Sequence, residues 1–128
     1  MMFDNIFSHN RIIGAAMNAS ILRSNVINNN IANQDVPNFT RSFVVFEDVL
    51  ANELDSALRS RSGGLNLSNV SPRVMLSMEN YKFRVDGNNV DPESEMVELY
   101  KNATRFDVMT NSLMNNFRRI NAVLQGMR

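Results

Sequence analysis

Few side chains in this sequence can do chemistry. His9 is the only histidine and there is no cysteine. A Ser-His-Asp arrangement would need His9 as its general base, and a loose chain terminus is a poor place to hold one. An ordinary surface histidine is the reading adopted. The absence of thiols removes disulfides, thiolate catalysis and cysteine-based zinc sites, without fixing a compartment. DGNNVD, residues 86–91, invites a calcium-loop reading. A loop opening at Asp86 would want an oxygen ligand at its fifth position, Gly at its sixth and Glu at its twelfth. Val90, Asp91 and Val97 stand there instead, so a turn leading into a helix cap explains the stretch better. Glu93 and Glu95 are accounted for by their place at a helix start, and no glycine-rich phosphate loop is present. Four tripeptides fit the N-glycosylation pattern, at Asn18, Asn38, Asn66 and Asn102. With 20 asparagines in the chain such matches arise by chance, and two fall in expected helices. No catalysis, cofactor, metal or small-molecule substrate is expected.

What remains is the chemistry of packing. The chain has 128 residues, enough for one small domain. Its 13 basic and 13 acidic residues cancel. A nucleic-acid binder that neutralises phosphates usually carries a basic surplus, and a cationic membrane-surface helix is equally disfavoured. Near-zero net charge suits a chain that packs against copies or neighbours. No apolar run approaches the roughly 18 residues that span a bilayer. MMFDNIFSH, the first nine residues, carries Asp4 and no Lys or Arg, so it does not form a cleavable secretory signal. Residues 1–9 are expected to be a flexible lead, and a chain that leaves the cytoplasm would need another route.

Residues 10–36 are expected to hold the N-terminal helix, with apolar or small side chains at Ile13, Ala16, Met17, Ser20, Ile27 and Ile31. Asp35, Val36 and Pro37 end it, because proline disfavours helical geometry in the residue before it. Residues 37–90 form a mixed middle. SFVVFEDVL, residues 42–50, suits a short strand or a helix entry, and residues 50–61 look helical through Leu50, Leu54 and Leu58. Ser62-Gly63-Gly64 breaks that pattern, and residues 65–80 read as loop or extended chain. Tyr81, Phe83 and Val85 alternate with polar residues as in a half-buried strand, and Asp86-Gly87 supplies a turn.

The last segment, 91–128, is the clearest. Asp91 can cap a helix with Pro92 at its first position. Glu93, Glu95 and Glu98 then open the helix, and Arg118, Arg119 and Arg128 lie towards its end, as the dipole favours. The apolar positions Met96, Leu99, Ala103, Phe106, Thr110, Leu113, Phe117, Ile120 and Leu124 step alternately by three and four. That is a coiled-coil seam broken only by Thr110. Such a helix is a rod roughly 50 Å long at 1.5 Å per residue. The expected fold is mainly α, with the two terminal helices pairing as an antiparallel coiled-coil hairpin around a poorly ordered or partly extended middle. The N-terminal helix would cover part of the seam, leaving the remainder for other chains. Methionines beside the seam, Met109 and Met114, read as helix contact.

Two stretches carry a resemblance. NNIANQDVPNF supplies Asn29, Asn30, Ile31, Ala32, Asn33, Asp35, Pro37 and Phe39. VDGNNVD supplies Val85, Asp86, Gly87, Asn88, Asn89, Val90 and Asp91, followed by Glu95 and Met96. Together they resemble the bacterial flagellar axial proteins and, within them, the basal body rod protein family of the proximal-rod B type. Val36 and Asn38 depart from that pattern, which usually has Thr and Gly there. Asparagine tolerates left-handed backbone better than other non-glycine residues, so the turn at Asn38 can survive. The resemblance implies a structural role: a subunit of the periplasmic rod, the drive shaft that carries motor torque, exported through the flagellar type III apparatus without cleavage. It implies as partners other rod proteins, the rod–ring junction protein, the export gate and copies of the chain itself. Asn25, Asn29 and Asn33, spaced by four, would then form an amide stripe that seats one subunit on the next; a solvated polar face is the plain alternative. A small helical export chaperone or regulator that binds a partner helix is the competing function.

Overall fold

The computed structural model of the chain describes residues 2–59, 70–78 and 85–126. The elements in chain order are α1 (Met2–Ala32), β1 (Ser42–Val45), α2 (Glu47–Arg59), β2 (Arg73–Leu76) and α3 (Pro92–Gly126). The two long helices run antiparallel: Asn30, Ser20 and Asn10 of α1 meet Glu95, Asn102 and Asn116 of α3 in turn. The mainly α class and the long helical hairpin agree with the pattern of the sequence.

α1 starts earlier than expected. Residues 2–9 continue the helix instead of forming a loose lead. No Gly or Pro occurs before Gly14, so nothing local breaks the helix. It ends at Ala32, short of 36, and residues 33–38 are turns. Asn38 has φ 59°, the left-handed conformation that the Gly-to-Asn departure called for. Gly87 at φ 82° makes the turn after Asp86.

The segment 42–50 holds both alternatives in succession. β-branched and aromatic SFVV forms β1, and Glu47 and Asp48 open α2 in its acidic first turn. β1 pairs antiparallel with β2, with Ser42 opposite Leu76 and Val45 opposite Arg73. β2 thus lies in the stretch read as loop or extended chain. Tyr81 and Phe83 lie outside the described residues, and Val85 is an exposed turn residue.

The core is small. Ala19, Phe46 and Val70 form its centre, with Ala15, Ala16 and Leu50 packed against them. Ile13, Ile27, Val44 and Val90 are also buried.

α3 turns a different edge inward than its apolar spacing suggested. The least exposed line is Glu95, Leu99, Asn102, Phe106, Met109, Leu113, Asn116 and Ile120. Leu99, Phe106, Leu113 and Ile120 belong to the expected seam; Met96, Ala103, Phe117 and Leu124 do not turn inward and are exposed, Phe117 by 53%. The alternate inward positions are polar at Glu95, Asn102 and Asn116. An apolar count skips them for their apolar neighbours, although each finds a partner on α1.

Candidate functional site

The two sequence motifs meet at one end of the hairpin, where α1 stops and α3 begins. The end of α1 leaves backbone carbonyls without helical partners. Asn88 approaches them with its side-chain amide: Nδ2 lies 3.0 Å from the Asn33 carbonyl, 3.0 Å from that of Gln34 and 2.8 Å from that of Val36. Its two hydrogens are therefore shared among three acceptors. Its Oδ1 accepts from the Val90 amide at 2.8 Å. The Asn38 amide donates to the Asp86 carbonyl at 3.0 Å, a second tie between the motifs.

Asn30 is the other fixed point. It is fully buried. Its amide treats the backbone of Ser42 as a strand would, donating from Nδ2 to the carbonyl at 2.7 Å and accepting the amide hydrogen on Oδ1 at 3.0 Å. The same Nδ2 donates to Glu95 Oε2 at 3.0 Å. The other oxygen of Glu95 accepts from Arg41 Nε. Glu95 is fully buried, while the Arg41 side chain is 30% exposed. A carboxylate taken out of water needs both oxygens satisfied by a cation and further donors, and Arg41 with Asn30 does this. Asn89 Oδ1 accepts the Arg41 amide at 2.7 Å. α1, β1 and α3 are thus joined by one polar network rather than by an apolar plug.

Asp91 caps α3 as its sequence position suggested: its Oδ1 accepts the Glu93 amide at 3.1 Å and its Oδ2 the Ser94 hydroxyl at 2.6 Å. The Ser94 hydroxyl holds the Asp91 carboxyl below the usual range. Lys101, 2.7 Å from Glu98, does the same for Glu98. Burial pushes Glu47 upward, but the Arg23 guanidinium, 2.7 Å away, outweighs it and leaves the net shift downward.

The remaining motif residues divide by position. Asn25 and Asn29 are exposed, and Asn33 spends its amide on the Asn29 carbonyl at 2.7 Å, within its own helix end. The buried asparagine of the run is Asn30, so the stripe spaced by four is not the packed one. Asp35, Pro37, Ala32 and Val85 are exposed, whereas Ile31, Phe39, Asp86, Gly87 and Asn89 are half-buried. Val90 is buried and Met96 is 41% exposed. Asn102, which heads one of the glycosylation tripeptides, packs inside the hairpin. It is 2% exposed, and its Nδ2 donates to the Ser20 carbonyl and the Ser24 hydroxyl, each at 2.8 Å. Its Oδ1 is buried with no hydrogen-bond partner. Asn116 donates to Asn10 Oδ1 at 3.0 Å one layer further on. Polar residues at 95, 102 and 116, separated by multiples of seven, are the signal that could reveal this line. His9 is exposed on α1. Among the described residues no three His, Cys, Asp or Glu side chains group as metal ligands, and no helix is long and apolar enough to cross a membrane.

No protein-family model matches the chain. Individual proteins do. It is 38% identical over 120 residues to the flagellar basal body rod protein FlgB of Borreliella burgdorferi, the match covering 81% of this chain and 86% of that protein. FlgB of Borrelia hermsii is 38% identical over 117 residues, with the same coverage. FlgB of Bacillus subtilis is 27% identical over 114 residues, covering 87% of this chain and 88% of the relative. With both motifs joined at the mouth of a helical hairpin and identity of this extent along most of its length, the chain belongs to the FlgB family of flagellar basal body rod proteins.

Proposed function

We propose that this chain, a structural subunit of the flagellar basal body rod, assembles by laying the uncovered edge of α3 against neighbouring subunits and so helps carry motor torque along the shaft. One observation carries the reading: α1 covers one face of α3, and Met96, Tyr100, Met114, Phe117 and Leu124 remain 41–69% exposed along the helix. A row of large apolar side chains on a soluble surface marks a contact site. The joined motifs would set the angle at which the middle segment leaves the hairpin, and so the seat of the next subunit. Other rod proteins, the rod–ring junction protein, the export gate and further copies of the chain are the partners this role requires, with delivery through the flagellar type III apparatus and no cleaved signal. The export-chaperone alternative is not favoured by the kinship with FlgB proteins.

The test is genetic and biochemical. Cells lacking the chain should not swim, and the wild-type chain should restore swimming and purify with basal bodies. Phe117→Glu, at an exposed position, should leave the helicity of the isolated chain unchanged yet fail to restore motility. Swimming in the deleted strain would overturn the reading.

A further inference from the structure

Net neutrality conceals a division of charge. α2 carries Glu47, Asp48, Glu53 and Asp55 against the single basic residue Arg59; Arg23 holds Glu47 and Arg59 lies 2.8 Å from the exposed Asp55, so the helix keeps a surplus of negative charge rather than four free carboxylates. α3 has no acidic residue after Asp107 within its described length, and there it carries Arg118 and Arg119. Neither arginine has an acidic partner among the described residues. Each region also has apolar side chains left open. α2 has no buried residue: it rests on the core through Leu50 and is tied at its start by Arg23 to Glu47, while Leu54 is 48% and Leu58 78% exposed. On α3, Met114, Phe117 and Leu124 are 45%, 53% and 56% exposed.

We infer that the exposed edge of α2 in one copy docks on the Met114–Leu124 stretch of α3 in a second copy, with its acidic side chains against Arg118 and Arg119. This deepens the rod-subunit reading and rests on it. The dimensions agree: 13 helical residues of α2 are about 20 Å long, and Met114 to Leu124 spans about 15 Å. Helical spacing sets Asp55 one turn before Leu58 and in line with Asp48 seven residues earlier, and sets Arg118 one turn on from Met114. Hydrophobic surface would supply contact, and the opposite charges would choose the partner and its orientation. Both halves of the contact belong to the same chain and lie on different elements. A copy therefore offers its α3 to one neighbour and its α2 to another, a head-to-tail contact that repeats.

The experiment uses the full chain and follows its self-association by sedimentation velocity. The wild type should associate, less so as salt screens the charges. Arg118→Glu with Arg119→Glu should weaken association roughly tenfold, the swing of two exposed ion pairs from attraction to repulsion. Asp48→Lys with Asp55→Lys should do the same. An equimolar mixture of the two reversed chains should associate again, because the acidic α2 of one then meets the arginines kept by the other and the basic α2 meets the new glutamates. Leu58→Ser, at a position 78% exposed, should weaken association by removing apolar contact without altering any charge, and decides the matter if a reversed α2 loses helicity. A monomeric wild type, or reversed chains that associate as before or fail to complement, would overturn the inference. Motility separates it from the broader reading: if deletion abolishes swimming but reversed chains restore it fully, the α2–α3 contact falls and the rod role stands.

Discussion

The two ends of the α1–α3 hairpin are built on opposite rules. At the end where α3 begins, Asn30, Asn88, Val90 and Glu95 are almost completely buried, and polar atoms hold one another. At the other end, beyond Asp107, no residue of α3 is fully buried, and large apolar side chains stand in the open. Burial thus follows hydrogen-bond satisfaction at one end and is incomplete along α3 at the other, while the outer edge of α3 is apolar and exposed at both. The comparison teaches that the closed end determines how the two helices meet, while the open end carries part of the apolar edge proposed above as a contact surface.

The sharpest way to break this contrast is to empty the closed end. Glu95→Ala leaves Asn30 without its buried acceptor and Arg41, 30% exposed, without its carboxylate, which costs about 2–3 kcal/mol, less than for a fully buried ion pair. A large fall in the urea midpoint followed by circular dichroism is expected. Phe117→Ala, at the open end, should scarcely move that midpoint; equal effects at the two positions would erase the distinction. Asn102→Leu tests whether the polar layers serve stability or alignment. It removes a buried oxygen that has no partner but also two hydrogen bonds to α1, so the two effects offset and stability should move by no more than about 1 kcal/mol. Alignment should suffer, seen as doubled amide resonances or as disulfide trapping of shifted pairs by engineered cysteines. A destabilised but singly aligned variant would show the layer to be ordinary packing. The smallest effect concerns pH. Glu47 is held below its usual range in the folded chain. Its contribution is therefore present above the unfolded glutamate value and is lost as pH falls through the folded one. The pair is largely exposed on the Glu47 side, so Glu47→Gln should only slightly flatten the acid limb of a stability–pH curve.

Much of the hairpin was legible. The cap at Asp91, the left-handed Asn38 and the turn at Gly87 follow from local rules that need no knowledge of the rest of the chain. The two motifs stood out in the sequence, but their junction depends on a contact between residues about 50 positions apart, Asn88 with Asn33, Gln34 and Val36. Asn29 and Asn33 drew attention by their spacing, whereas Asn30 is the packed residue because Ser42 and Glu95 come to meet it. The α3 seam was half legible for the same reason. Leu99, Phe106, Leu113 and Ile120 announce themselves by hydropathy, but Glu95, Asn102 and Asn116 become interior residues only once α1 supplies partners for them. Residues 2–9 are helical where a loose lead is the expectation, because no Gly or Pro before Gly14 interrupts the helix.

The polar layers have a mechanical consequence. Two helices meeting along grease alone can creep past one another, since one apolar contact replaces another at little cost. Here a displacement by a single turn would strip Glu95, Asn102 and Asn116 of their mates together. The layers act as detents: under a steady twisting load such a hairpin stays rigid until it gives way all at once.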